Sequence, residues 1–264
     1  MGTIDAILLG LLQGLTEFLP VSSSGHLVLL ARILGVDNPD NNTTFAILVH
    51  AATVLATITV FWGEIVRLVR GGLTFRVNAE TRYLFRIAVS MVPILIVGLF
   101  FKDRVEALFG SGVRFVGCML FVTAGLLLLT HLIRQKKEGR NISVRDAFVI
   151  GLAQAVAVIP GISRSGATIA TGMLLGDDRT QLAKFSFLMV LVPILGEAFL
   201  DLLKGEFAPG AAGISGYALA AGFLAAYLSG LFACKVMIRI VSRGKLWWFA
   251  LYCAVAGTAA IILG

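Results

Sequence analysis

Charge is scarce in this sequence. Asp, Glu, Lys and Arg make up 14% of its 264 residues and 58% are hydrophobic, whereas a water-soluble domain is about half apolar and about a quarter charged. The shortage excludes an ordinary cytosolic enzyme. Acidic residues are the rarer sign, 15 against 22 Lys and Arg, which leaves a net charge of +7. That excess does not describe a nucleic-acid binder, because the basic residues sit almost wholly in short links between apolar stretches, where they report membrane topology. Cysteine is scarce too: Cys118, Cys234 and Cys253 are odd in number, widely spaced and set in apolar runs, so neither a disulfide framework nor a zinc site follows. The N-terminus, Met1 to Asp5, has neither the basic start nor the small-residue cleavage site of a secretory leader. The first apolar segment is therefore expected to stay in the mature protein.

Long apolar runs are what the chain has in quantity. A helix needs about 20 apolar residues to cross the hydrocarbon core, and six stretches approach or reach that length: Thr43 to Trp62, Ile87 to Phe101, Phe115 to Ile133, Phe185 to Leu203, Tyr217 to Cys234 and Trp247 to Leu263. Two further apolar regions, Thr3 to Gly35 and Ala147 to Gly176, are broken midway by a proline and a Ser/Gly cluster. Irregular backbone at membrane depth needs protein or a polar cavity around it, so these two read as re-entrant helix-turn-helix hairpins. The expected fold is thus an all-α polytopic membrane protein with six spanning helices and two re-entrant hairpins.

Sidedness follows from the basic residues. Sixteen Lys and Arg fall in the links 63–86, 134–146, 176–184 and 235–246, against four in the links 36–42, 102–114 and 204–216. The first set is expected in the cytoplasm, with the first hairpin opening outside, the second opening inside and both termini outside. Trp62, Trp247 and Trp248 read as interface anchors. The segment from Gln13 to Gly25 aligns with that from Gln154 to Gly166 without a gap, Ser22 and Ser24 matching Ser163 and Ser165. Each half, roughly 1–133 and 134–264, would carry one hairpin and three spans. Three is odd, so the second half would be inverted within a single integral membrane domain covering 1–264. Broken helices of inverted repeats meet at a site near the midplane.

The breaks carry the chemistry. Ser24 and Ser165 are candidate caps for the helices that follow, whose first-turn N–H groups favour anions. Ser22, Ser24, Gly25, Ser163, Arg164, Ser165 and Gly166 form the candidate phosphate-binding set, with Arg164 supplying a planar fork suited to phosphate; pairing with a carboxylate is its alternative role. Gln13 and Glu17 share a helix face, and their oxygens suit a hard cation, Mg²⁺ or Ca²⁺. Glu17 could instead pair with Arg164 or bond the turn amides. Ser23 and His26 add a hydroxyl and a proton carrier near Glu17, so Glu17, Ser23, His26 and Arg164 are the candidate catalytic residues. His50 and His131 lie on spanning helices without an obvious partner and read as packing residues. Glu197 and Asp201 read as solvated at a helix end. The small residues from Gly210 to Gly230 either let helices pack closely or leave a groove for a lipid tail.

The stretches QGLTEFLPVSSSGH at 13–26 and PGISRSGAT at 160–168 resemble the two signatures of the bacterial undecaprenyl pyrophosphate phosphatases, also called bacitracin-resistance proteins. The resemblance implies an enzyme of the bacterial plasma membrane that removes one phosphate from undecaprenyl pyrophosphate at the outer face. Its product would recycle the lipid carrier for peptidoglycan and other envelope polymers. It also implies a Mg²⁺ or Ca²⁺ requirement, Ser23 and His26 as active-site residues, Arg164 as the phosphate-binding arginine and Thr168 as the last member of the phosphate-binding set. Gln13 stands where other members carry Glu, leaving one carboxylate fewer for the metal. Expected partners are the polyprenyl pyrophosphate and the bilayer, with no nucleic acid; a homodimer is left open. The sequence does not choose between attack by Ser23 and attack by water. A transporter is the rival reading, since alternating access also uses broken helices, and a channel is disfavoured by the few intramembrane charges.

Overall fold

The computed structural model describes residues 1–36, 39–74, 76–132, 139–196, 214–244 and 246–264, the side chains of 39–44 excepted. Glu197, Asp201 and the start of the small-residue stretch at Gly210 lie outside the described residues. Regular structure among the described residues is helical, apart from one bridge between Arg140 and Asp177. The first broken region forms α1 (Thr3–Phe18) and α2 (Ser23–Leu34), and the second forms α8 (Val144–Val156) and α9 (Arg164–Leu175). Between them run α3 (Pro39–Val60), α4 (Trp62–Gly72), α5 (Ala79–Phe100), α6 (Lys102–Phe109) and α7 (Gly112–Leu132); after them come α10 (Arg179–Met189), α11 (Gly216–Arg243) and α12 (Trp247–Leu263).

The helices α5, α7, α11 and the Arg179–Gly196 run that begins with α10 are long and apolar enough to cross a bilayer, and α3 with α4 adds a fifth span if the pair, bent by 77°, is one span. The protein is therefore multi-pass. The six expected spans fall on α3, α5, α7, α10 with its continuation, α11 and the 17-residue α12; length and apolarity support four or five of them. Boundaries differ from the expectation where charge hid helix. Asn78 caps α5 by accepting the Thr81 N–H, so the charged turns holding Glu80, Arg82 and Arg86 are helical although no apolar run includes them. Likewise 63–86 and 102–114 are not bare links, since α4 and α6 fill them. At the bend, Trp62 is exposed, and Trp247 and Trp248 stack at 3.7 Å at the start of α12.

Packing crosses between the halves. The first hairpin's α1 packs on α11, and the second hairpin's α8 packs on α5, while α7 and α12 pack on each other. Glycines permit each approach. A Cβ on Gly10 would overlap the carbonyl of Gly222, and one on Gly151 would overlap the carbonyl of Ser90. Gly10 and Gly151 stand at the same spacing as Gln13 and Gln154, and so do Gly35 and Gly176, both left-handed glycines that end α2 and α9. Only glycine takes that conformation at no steric cost. In the α7–α12 pair a Cβ on Gly117 would stand 2.8 Å from the Gly257 carbonyl and one on Gly257 would stand 2.9 Å from the Gly117 carbonyl.

The second hairpin is tied at its charged end. Arg140 donates its N–H to the Gly176 carbonyl at 3.1 Å and accepts from Asp178 N–H at 2.9 Å. Its guanidinium bonds Asp146 at 2.8 Å and lies 3.7 Å from Asp177. Burial, then the neighbouring Asp146 charge, pushes the Asp177 carboxyl up to about 6.

Candidate active site

Each hairpin turn is shaped by its own serines. Ser22 and Ser163 precede the first helical residues of α2 and α9, and their hydroxyls accept the N–H of Gly25 at 3.3 Å and of Gly166 at 3.1 Å. The caps are therefore Ser22 and Ser163, not Ser24 and Ser165, because a capping oxygen reaches the amide three residues on. Ser24 and Ser165 instead face the cap hydroxyls at 3.4 Å in both hairpins. Ser165 also donates to the Leu19 carbonyl at 3.1 Å, in the opposite turn. A Cβ on Gly25 would stand 3.2 Å from Gly161, and one on Gly166 would stand 3.2 Å from Pro20. The two turns thus touch directly.

Glu17 sits where they meet. It is 9% exposed, which demands that its oxygens be satisfied by protein donors. Ser23 donates its hydroxyl to Glu17 Oε2 at 2.6 Å, and Gln13 Nε2 donates to the same oxygen at 2.9 Å. Arg164, from the other hairpin, bonds Oε1. With two donors on Oε2 and a guanidinium on Oε1, Glu17 acts as an acceptor throughout, the role that an ionised carboxylate fills. In this arrangement Ser23 is both held and poised to lose its proton, and Arg164 is parked on the acid. The remaining first-turn N–H groups of α2 and α9 are unpaired by helix geometry, giving two positive ends beside a guanidinium. A narrow cleft adjoins the pair, lined by Thr53, Thr57 and Ser186 and by the apolar Val54, Phe187 and Ile194.

Thr168, on α9, bonds Ser186 at 2.7 Å and donates to the Arg164 carbonyl at 2.9 Å. It steadies the first turn of α9 from behind and makes no bond to Glu17. Gln13 turns its amide nitrogen to Glu17, and its Oε1 is buried with no protein partner. Among the described residues no three His, Cys, Asp or Glu side chains gather in a metal-holding group. An unpartnered amide oxygen beside one carboxylate still fits a hard cation whose other ligands are water or phosphate oxygens.

His26 is placed differently from the expectation of a proton carrier beside Glu17. Its Nδ1 lies 2.8 Å from the Ser22 carbonyl and its Nε2 lies 2.8 Å from the Tyr252 hydroxyl, so both ring nitrogens are engaged away from Glu17. The histidine that does approach the acid is His50, whose Nε2 is 3.7 Å from Glu17 Oε2. His50 is not a partnerless packing residue. Its Nδ1 donates to the Ala46 carbonyl at 2.7 Å, one turn back on α3, which leaves Nε2 facing the site. Sequence reasoning also missed Tyr252 and Thr123. Thr123, on α7, donates to the Gly161 carbonyl at 3.1 Å and accepts the Ser163 N–H at 2.9 Å. No local signal marks any of the three, for each is an isolated polar side chain on an apolar helix. His131 is exposed, its ring 6.2 Å from that of Trp247.

Comparison with known proteins bears on what such a site does. Residues 6–259 match the family model described as bacitracin resistance protein BacA. Along its whole length the chain is similar to the undecaprenyl-diphosphatase of Bacteroides fragilis, 53% identical over 266 residues that cover 98% of that protein. It is 54% identical over 265 residues to the undecaprenyl-diphosphatase of Bacteroides thetaiotaomicron, covering 99% of each chain. A more distant relative of the same description, from Carboxydothermus hydrogenoformans, is 41% identical over 270 residues, spanning 100% of this chain and 98% of the relative.

Proposed function

The chain belongs to the bacitracin resistance protein BacA family, and from that premise we propose that it is a membrane phosphatase converting undecaprenyl pyrophosphate to undecaprenyl phosphate and orthophosphate. The observation that carries the reading is the 2.6 Å bond from Ser23 to Glu17, with Arg164 of the second hairpin on the other carboxylate oxygen. A site for binding an anion alone has no use for a hydroxyl bonded to a base.

Pyrophosphate draws Arg164 off Glu17, since a guanidinium satisfies two phosphate oxygens with its fork. Glu17 then takes the Ser23 proton as Oγ bonds the terminal phosphorus and the bridging P–O bond breaks. Undecaprenyl phosphate leaves with that proton. Water attacks the phosphoserine, giving a proton to Glu17, and Glu17 returns it to Ser23 as the Oγ–P bond breaks. Throughout, Arg164 and the N-termini of α2 and α9 hold the charge that accumulates on the phosphoryl oxygens. Gln13 Oε1 and Glu17 would hold Mg²⁺ or Ca²⁺, which when bound supplies charge neutralisation on the pyrophosphate.

The same reading extends to the membrane. Two hairpins and six spans form an inverted repeat in one domain, supported by the exchanged α1–α11 and α8–α5 packing and by the Gly10/Gly151 and Gly35/Gly176 equivalences. The catalytic hairpin opens to the outer face of the plasma membrane, where recycling the carrier supports envelope synthesis and competes with bacitracin for its lipid. Phosphate release from undecaprenyl pyrophosphate by purified protein in detergent, with and without EDTA, tests the proposal. Release that EDTA abolishes, together with trapped phosphoserine at Ser23, is expected. No release from the wild type would move the assignment to a transporter, and turnover by Ser23→Ala within tenfold of wild type would assign the attack to water.

A further inference from the structure

The turn that presents Ser23 is strained and is held from the far end of the chain. Ser22 has φ of 70°, the one positive φ at a non-glycine position among the described residues. A serine there is strained and persists only where surrounding contacts over-determine it. The strained residue is the immediate neighbour of the nucleophile, so whatever fixes Ser22 aims Ser23 at Glu17.

Two side-chain links hold this turn, one at Ser22 and one at Pro20, and both end on α12. His26 Nδ1 lies 2.8 Å from the Ser22 carbonyl; a carbonyl only accepts, so Nδ1 carries the proton. Nε2 of the neutral ring is then an acceptor, and the Tyr252 hydroxyl donates to it at 2.8 Å. The rings lie nearly parallel, 12° apart with centroids 5.5 Å apart. The next residue, Cys253, is buried and directs its thiol to the Pro20 carbonyl at 3.6 Å. The helix α12 is itself backed by α7, and α7 grips the opposite turn through Thr123. One pair of helices therefore sets the position of both turns.

From this geometry we infer that Tyr252 is a positioning residue for the phosphatase reaction, acting through His26 to hold the Ser22 carbonyl and so the aim of Ser23. His26 in this role relays position, not protons. The inference rests on the phosphatase reading with Ser23 as nucleophile. Misaiming an attacking oxygen lowers turnover without altering the groups that bind pyrophosphate, so the effect falls on kcat and spares KM.

The test compares Tyr252→Phe, His26→Asn and His26→Ala with wild type and with Trp248→Phe, a change elsewhere on α12, in phosphate release from undecaprenyl pyrophosphate. Removing one orienting hydrogen bond gives about a threefold to tenfold loss. Tyr252→Phe should lower kcat by that factor, leave KM unchanged and lower the pH–rate plateau without moving its limbs. His26→Asn cannot carry a proton but keeps an N–H near the position of Nδ1, and it should turn over about tenfold faster than His26→Ala. Wild-type kcat in Tyr252→Phe, a raised KM with kcat intact, or a displaced limb would each overturn the inference. So would equal inactivity of His26→Asn and His26→Ala, which reads the same chain from its other end should Tyr252→Phe not fold. Failure of the parent reading is distinguishable, because wild type and Trp248→Phe would then release no phosphate at all, or Ser23→Ala would turn over within tenfold of wild type.

Discussion

Glu17→Gln separates the two jobs that the structure puts on one side chain. The change keeps the shape and an amide oxygen but removes the base that Ser23 bonds at 2.6 Å. A positioned general base contributes about 10²–10⁴ in rate, or about 2.7–5.5 kcal/mol of barrier, so kcat should fall by that factor. The same change frees Arg164. In wild type the pair, with side chains 26% and 6% exposed, must open before pyrophosphate can take the guanidinium. A charge-assisted hydrogen bond of this kind stabilises by about 1.5–3 kcal/mol, and the lower end already corresponds to about tenfold in affinity. KM should therefore fall, on the order of tenfold, while kcat collapses. The assay is phosphate release over a range of undecaprenyl pyrophosphate in detergent micelles with saturating Mg²⁺, giving kcat and KM separately. A kcat within threefold of wild type, or a KM that rises, would refute the reasoning, since the first removes Glu17 as base and the second removes it as the residue that parks Arg164.

Gln13→Glu should tighten Mg²⁺ or Ca²⁺ binding by adding a charged oxygen where an unpartnered one now lies, read by the metal concentration that restores half-activity after EDTA; unchanged affinity would move the cation elsewhere. Gly10→Val and Gly151→Val should each destabilise by about 1–3 kcal/mol or more through overpacking against a neighbouring backbone, seen as lowered melting temperature in detergent, whereas Gly63→Ala, with open space around it, should not. The raised Asp177 carboxyl, near 6, is protonated in the folded state at pH values where the unfolded chain has lost its proton. The contribution of Asp177 to stability is then full below about pH 4 and is lost as pH rises through 6, so Asp177→Asn should make the melting temperature fall less over that window than in wild type. Reporters fused at Asn41 and after Gly264 should report the outside and one at Lys137 the cytoplasm; a cytoplasmic C-terminus would break the inverted arrangement.

Whatever depends on period, composition and neighbouring residues was legible in the amino-acid order. Its scarcity of charge required a membrane, its basic links implied sides, and the proline and Ser/Gly breaks marked the two hairpins because no helix passes through them uninterrupted. The Gln13–Glu17 pair was legible since residues four apart share a helix face. The likeness of the two turns was visible in their matched serines and glycines. Helix ends were less so, because the first turns of α5 are charged and resemble a loop in composition, and the capping serines were misassigned by two residues where several serines compete. Contacts between residues remote in the chain were set by the packing of the helices instead. Arg164 reaches Glu17 across 147 positions and Tyr252 reaches His26 across 226. The orientation of His50 on α3 toward the acid likewise depends on how that helix is rotated in the bundle. Such choices follow from packing, in which glycines at Gly10, Gly117, Gly151 and Gly257 let particular backbones approach. No local pattern encodes which helix a lone tyrosine, threonine or histidine will face, because its partner is selected by the sum of contacts along two whole helices.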